Sequence, residues 1–168
     1  MSIDLAKVRR VLQNKRLVEQ IILARAAEKD EVVYGARAIN AQLPDYLAKH
    51  TEDYDVYSKY PSKAAKGTAK ELNDRFGDKI FYAKKGKNET TWKVKSKIDK
   101  STVVDYTRPT KEIPTVNKFG VKYASIDYLK KRIKKQLRVP ENKFRRPKDK
   151  SALTRINAFE EKWSAGEW

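Results

Sequence analysis

Residues 53–57 read Asp-Tyr-Asp-Val-Tyr, an alternation of polar and apolar side chains that is typical of a β-strand. Residues two apart on a strand point to the same face, so Asp53 and Asp55 are expected side by side. Two carboxylates that close repel each other unless a positive charge lies beside them. Because Mg²⁺ prefers oxygen ligands, the pair indicates a divalent-metal site. The alternative is a solvated pair near a strand end, neutralised by lysines.

A strand–glycine–helix pattern lies upstream of this pair. The short β-type run at 31–34 is stopped by Gly35, and a helical pattern follows at 36–43. The start of a helix presents free N–H groups and the positive end of its dipole, which suits a phosphate. Gly35 allows a sharp turn and a close approach to the backbone, and Arg37 offers a forked donor. A glycine at such a turn is also common for packing reasons alone, and that alternative stays open.

A third carboxylate, Asp105, lies in the predicted strand 102–106, which is otherwise largely apolar. An unpaired buried carboxylate is costly, so this charge belongs either to a site or to a strand edge. In the second case its side chain would bond to Thr107 or Arg108. The order of the three features along the chain favours a common site.

The turn at 33–36, the Asp53–Asp55 pair and the later Asp105 together resemble the DNA polymerase β-type nucleotidyltransferase superfamily. The resemblance covers roughly residues 32–106. Among the branches, the Gly-Ala-Arg-Ala-Ile-Asn stretch at 35–40 is most similar to viral poly(A)-polymerase-like minimal members. The chain departs from the pattern at Ala36, where the superfamily usually has Gly or Ser, and in its short length. Both departures count against processive polymerisation.

The resemblance implies a role for each matched residue. Asp53, Asp55 and Asp105 would bind Mg²⁺ or Mn²⁺ and carry the catalysis, with a nucleoside triphosphate as substrate. Two metals would stabilise the entering and leaving oxygens of an in-line transfer. The terminal phosphates would be held by Gly35, Ala36 and Arg37, with Asn40 as a polar neighbour.

The order of predicted elements indicates an α+β fold with a mixed β-sheet flanked by helices. We expect a long N-terminal amphipathic helix over 1–30, a nucleotidyltransferase-like core over 31–124, and a basic helical segment over 125–168 packed on the core. Within these segments the patterns predict helices at 4–29, 36–43, 61–76, 125–137 and 151–163, a hairpin of strands at 80–83 and 91–94, a loop at 108–117 and an edge strand at 120–123.

The net charge of +17, from 39 Lys+Arg against 22 Asp+Glu, makes a polyanion the expected partner. Nucleic acid, either DNA or RNA, is favoured over a membrane surface or an acidic protein. The absence of cysteine excludes disulfides, thiolate metal sites and a cysteine nucleophile, and the single histidine, His50, excludes a His-rich metal site. No apolar run is long enough to span a bilayer, and we expect a protein of the cytoplasm or of a virus particle that is not secreted.

The C-terminal part concentrates basic residues beside a predicted core stripe. The expected nucleic-acid-binding residues are Lys130, Lys131, Arg132, Lys134, Lys135, Arg138, Lys143, Arg145 and Arg146. Arg145, Arg146 and Lys148 are also expected to reach toward the aspartates. The N-terminal helix or Trp168 is a candidate surface for a protein partner.

Three functions fit these features. The favoured one is a metal-dependent nucleotidyltransferase that acts on a nucleic-acid or protein acceptor. The alternative is a catalytically silent nucleotidyltransferase-fold protein that binds nucleic acid, for example inside a virus particle. The third is the enzymatic half of a toxin–antitoxin pair.

Overall fold

Seven strands form one mixed sheet, and six α-helices pack around it, in the part of the chain that the structure describes, residues 4–164 of a computed structural model. The helices are α1 (Leu5–Gln13), α2 (Lys15–Glu28), α3 (Gly35–Gln42), α4 (Pro61–Phe76), α5 (Ile126–Leu137) and α6 (Arg146–Ser164). The strands are β1 (Val32–Tyr34), β2 (Tyr54–Tyr57), β3 (Phe81–Lys85), β4 (Thr91–Ser96), β5 (Thr102–Thr107), β6 (Thr115–Lys118) and β7 (Val121–Ala124). Short 3-10 helices cover Asp45–Leu47 and Pro140–Arg145. The predicted α+β class is confirmed.

The strand order is β3-β4-β5-β2-β1-β7-β6. At the centre, β2 runs parallel to β5 and antiparallel to β1. The amino ends of β2 and β5 therefore meet the carboxyl end of β1, where α3 begins. The strand–glycine–helix turn, the Asp53–Asp55 pair and Asp105 therefore all lie at this one edge of the sheet.

The alternation along the central strands separates an apolar face from a polar one. Val33, Val56 and Val104 are fully buried on the first face, and the Tyr106 hydroxyl meets Thr68 of α4 there at 2.6 Å. The second face carries the aspartates, and α5 packs over part of it. Apolar burial on one face thus fixes the register that sets the aspartates on the other.

The N-terminal region differs from its prediction, because two helices replace one long helix. The chain breaks at Asn14, whose backbone adopts φ −120° and ψ 38°. The Asn14 side-chain amide donates to the carbonyl of Arg10 at 2.7 Å, and such local bonding competes with helix continuation. The break lets α1 turn toward the end of α4, where Lys7 Nζ donates to the carbonyl of Gly77 at 2.6 Å.

The far side of the sheet also corrects the prediction. The strand predicted at the edge is internal, since β7 pairs with both β1 and β6. The edge strand is β6, which lies partly within the predicted loop 108–117. Phe119 and Gly120 make the tight turn between β6 and β7, and both have positive φ. Because Phe is not a typical turn residue, the sequence pattern did not indicate this turn.

Most other elements agree with the sequence. The β3–β4 hairpin forms, α4 spans the predicted residues, and Ser125 caps α5 by accepting from the backbone N–H of Tyr128. The last helix starts earlier than expected, at Arg146, with Pro147 in its first turn, a position where proline is tolerated. Among the described residues no helix combines the length and apolarity needed to cross a membrane.

Candidate active site

Three carboxylates converge at the edge where β2 and β5 begin. Asp53 directly precedes β2, Asp55 lies within it, and Asp105 is the parallel-register partner of Asp55 on β5. One carboxyl oxygen from each residue lies within 4.8 Å of the other two. The strand pairing therefore brings together residues that are fifty positions apart in the sequence.

The electrostatics of this cluster favour a bound cation. Burial, together with the charges of Asp53 and Asp105, raises the pKa of Asp55 to about 7, although Arg132 and Arg145 act in the opposite direction. Burial also raises the pKa of Asp105, against the ammonium of Lys93, which pairs with its Oδ1 at 3.1 Å. The uncompensated negative charge is the physical reason to expect an ion here.

The donor set fits a hard divalent cation. All the ligand atoms are carboxylate oxygens, which suit Mg²⁺ or Mn²⁺. Asp105 Oδ1 is already paired with the Lys93 ammonium, so a bound cation would share this carboxylate with Lys93.

Gly35 lies directly against Asp55. Its φ is +68°, and a Cβ at this position would overlap the Asp55 Oδ2 atom. A side chain here would therefore meet both backbone strain and a steric clash. The sequence predicted close approach of a phosphate to this glycine. In the structure, the group that occupies the space left by the absent side chain is the Asp55 carboxylate.

Arg37 is engaged by the protein. Its Nη2 pairs with Glu19 at 2.8 Å, its Nε donates to the carbonyl of Asp53 at 3.2 Å, and its guanidinium lies 4.2 Å from the centre of the Tyr54 ring. These contacts position the backbone that carries Asp53. None of these contacts supports the predicted bond from this guanidinium to phosphate, which stays a prediction.

Asn40 is engaged as well. Its side chain exchanges two hydrogen bonds with the backbone of Lys49 and accepts a third from Arg155 Nη1 at 3.0 Å. The residue thereby ties the segment before Asp53 to α3 and α6. Its predicted place beside phosphate remains a prediction.

A tyrosine pair that the sequence did not single out lies on the same face as the aspartates. The rings of Tyr34 and Tyr57 stack with centroids 3.8 Å apart. The Tyr57 hydroxyl meets that of Tyr128 at 2.8 Å, and the Arg132 guanidinium lies 4.9 Å from the centre of the Tyr34 ring. The pair links α5 to the catalytic face. Tyr57 follows Asp55 by two positions, so the strand alternation could have predicted that Tyr57 lies on the same face as Asp55.

A cavity of about 310 Å³ opens beside Asp53 and the start of α3, between α3, α5 and the first turn of α6. Its lining is rich in cations, namely Lys49, Arg132, Arg145, Lys148 and Arg155. The walls also hold buried polar atoms that have no hydrogen-bond partner within residues 4–164, namely Gln136 Oε1, Arg145 Nε, Asp149 Oδ2 and Arg155 Nε. Unsatisfied groups of this kind are rare in a native wall and indicate a place for a polar ligand. The two arginine Nε–H donors suit an anionic group, whereas the Gln136 and Asp149 oxygens need a donor such as a hydroxyl.

The predicted nucleic-acid-binding residues divide into three groups. Arg132 and Arg145 line the cavity, and Lys130 is paired with Glu160 at 2.9 Å. The exposed members are Lys131, Lys134, Lys135, Arg138, Lys143 and Arg146. No sequence motif predicted Gln136, Asp149 or Arg155, because these residues come together only when α5 and α6 pack. Trp168 lies outside the described residues.

Comparison with known proteins supports the fold. No family model matches the chain, and no curated protein matches it. Among solved structures, the Megavirus polyadenylate synthase is similar with a TM-score of 0.75 and 19% identity, over 88% of this chain and 32% of that one. A candidate nucleotidyltransferase from H. pylori is similar with a TM-score of 0.51 and 12% identity, over 78% of this chain and 60% of that one. The chain thus spans about a third of the viral protein's length, and it has a nucleotidyltransferase-like fold.

Proposed function

We propose that the chain is a metal-dependent nucleotidyltransferase that transfers a nucleoside monophosphate from a nucleoside triphosphate to a hydroxyl of a nucleic acid. The carrying observation is the convergence of the Asp53, Asp55 and Asp105 oxygens within 4.8 Å, next to a basic cavity. Buried carboxylates so close together destabilise the metal-free fold, and function is the usual reason for such strain.

The cavity suits the triphosphate. Arg132, Arg145 and Lys148 line it together with the residues that open α3, so their charges and free N–H groups face one space. The volume falls at the lower end of the range for small-ligand pockets. We therefore assign the phosphates to this cavity and the reacting phosphorus to the side that faces the aspartates.

Asp53, Asp55 and Asp105 would hold Mg²⁺ or Mn²⁺, which stabilises the charge that develops on the entering and leaving oxygens. In the transfer, the acceptor hydroxyl gives up its proton, its oxygen bonds to the α-phosphorus, and the bond from that phosphorus to the pyrophosphate oxygen breaks. Asp105, with its raised pKa, is the proposed proton acceptor. Arg132 and Arg145 take up the negative charge of the departing pyrophosphate.

Kinship with viral poly(A)-polymerase-like proteins is part of the proposal. It is supported by the residue pattern at 33–40 and by the similarity of fold to a viral polyadenylate synthase. ATP and an RNA with a free 3′ hydroxyl are therefore the first substrates to test.

The test is incubation with each labelled nucleoside triphosphate, Mg²⁺ or Mn²⁺ and mixed RNA. We expect label to enter the RNA with the wild-type chain and to be lost with Asp53→Asn/Asp55→Asn. The matched control is Asp99→Asn, an exposed carboxylate outside the site. Label transfer that persists in the double variant, or no transfer with any nucleotide, metal and acceptor, would overturn the proposal.

A further inference from the structure

A second basic surface lies at the opposite end of β2, away from the N-terminal end where the aspartates meet. Two open cavities of about 650 and 1050 Å³ join there, and both are lined by Tyr60, Lys63 and Arg108. We refer to the joined space as the Tyr60 groove. None of these three residues lines the proposed triphosphate cavity.

The groove is strongly cationic. Nine Lys or Arg side chains line the two cavities against four Asp or Glu. Among the acids, Asp30 is paired with Lys122 and Glu31 is buried. Two further cations, Arg25 and Lys70, are paired with Glu71 and Asp74. Lys63 and Arg108 take part in none of the ion pairs formed within residues 4–164. Their charge is available to a polyanion.

Aromatic rings accompany the charges. Tyr60 is 69% exposed, so its ring lies at the surface. Lys66 Nζ lies 5.1 Å from the centre of the Trp92 ring in the same groove. An exposed ring offers a stacking surface to unpaired bases, whereas the bases of a duplex are already stacked on each other. Charge and ring together favour a single strand over a duplex or an acidic peptide.

The groove is separate from the aspartates. Tyr57 lines the groove and stacks on Tyr34, which is the register partner of Asp55 across β1 and β2. Both rings are buried and lie between the groove and the carboxylates. Trp92 pairs with Tyr106, whose hydroxyl meets α4, so Trp92 lies on the sheet face opposite to the aspartates.

We propose that the Tyr60 groove binds a single strand of nucleic acid. This binding stands on the charges and rings of the groove and does not depend on the proposed function.

Binding is measured by fluorescence anisotropy of a short labelled single-stranded RNA, without nucleotide or metal. Lys63→Gln/Arg108→Gln is expected to weaken binding roughly tenfold and to reduce the slope of log K against log salt by about 1.4, since each lost phosphate contact removes about 0.7. Tyr60→Leu is expected to weaken binding at least about fivefold, and Tyr60→Phe to keep it, because the ring stacks and the hydroxyl does not.

The matched control is Lys79→Gln/Lys97→Gln, which removes the same charge from exposed positions outside the groove and is expected to change binding little. A second comparison is Lys131→Gln/Lys134→Gln on α5. Three outcomes would overturn the groove assignment. The groove variants could bind like wild type, the loss of binding could be confined to the α5 variant, or duplex or polyglutamate could displace the RNA as well as a single strand does. Groove-dependent binding without any nucleotide transfer would instead overturn the proposed function and leave the groove in place.

Discussion

Gly35 and Asp55 are the pair of residues on which the geometry of the site depends most closely. The glycine provides the positive φ that starts α3, and its missing side chain leaves room for the Asp55 carboxylate. The residue types and their order were predictable from the sequence. The contact between them was not, because it follows from the pairing of Tyr34 with Asp55 across β1 and β2.

Gly35→Ala is expected to destabilise the chain by more than the roughly 1–2 kcal/mol cost of a left-handed residue, since its Cβ also displaces the Asp55 carboxylate. Urea unfolding and Mn²⁺ affinity measure the two effects. The matched control is Gly120→Ala, which has φ +82° but nothing within 4 Å of the added Cβ. It should show the backbone cost alone, with Mn²⁺ affinity unchanged. Equal behaviour of the two variants would show that Gly35 does not hold the site.

The titration of Asp55 gives a second prediction at this scale. Its pKa is about 7 in the folded chain against 3.8 for the free group, so the folded state binds the proton more tightly. The stability of the metal-free protein should therefore fall as pH rises from about 4 to about 7, by up to about 4 kcal/mol, and the loss is complete above that window. Urea unfolding with a chelator present measures this.

Asp55→Asn should flatten that pH dependence and be more stable than wild type near pH 8, whereas Asp99→Asn should keep the wild-type slope. A slope in Asp55→Asn equal to that of wild type would assign the titration to another group.

At the scale of elements, α5 connects the cavity to the tyrosine pair. It carries Arg132 and Tyr128, and its first turn is capped by Ser125, which accepts from the Tyr128 N–H at 3.3 Å. The cap and the apolar stripe were predictable because both signals are local. The break at Asn14 was not, since the apolar spacing continues across it and only the side-chain bond to Arg10 ends α1.

Ser125→Ala is expected to lower the free energy of unfolding by about 1 kcal/mol, because one N–H at the start of α5 loses its partner. Ser125→Asp, which keeps an acceptor at the cap, should restore most of the loss. Chemical denaturation of the three proteins is the measurement. An Asp variant as unstable as the Ala variant would place the role of Ser125 elsewhere, in packing.

At the scale of the whole molecule, part of the charge of +17 is concentrated at two surfaces. The cavity beside Asp53 and the Tyr60 groove lie at the two ends of β2, and each collects cations from elements far apart in sequence. Composition alone predicted a polyanionic partner. It could not locate these surfaces, because each depends on tertiary contacts. Arg108 lies beside Lys63 through the pairing of β5 with β2. Arg155 contacts Asn40 through the packing of α6.

The same reasoning explains what the sequence could and could not say about the site. The two local motifs, at 33–37 and 53–57, followed from periodicity. Asp105 was predicted from its place in a largely apolar strand, but its pairing with Asp55 and its neighbour Lys93 required the strand order, which is a property of the folded sheet. Long-range pairing of this kind is set by the burial of apolar faces and not by any short pattern.

The most direct measurement is a titration of the chain with Mn²⁺ followed by electron paramagnetic resonance, in the presence of a non-hydrolysable nucleoside triphosphate. The account predicts Mn²⁺ bound by the wild-type chain and by Asp99→Asn, with affinity reduced about tenfold or more in Asp55→Asn and in Asp105→Asn. Mn²⁺ bound equally well by all four proteins would contradict the claim that these aspartates form the metal site.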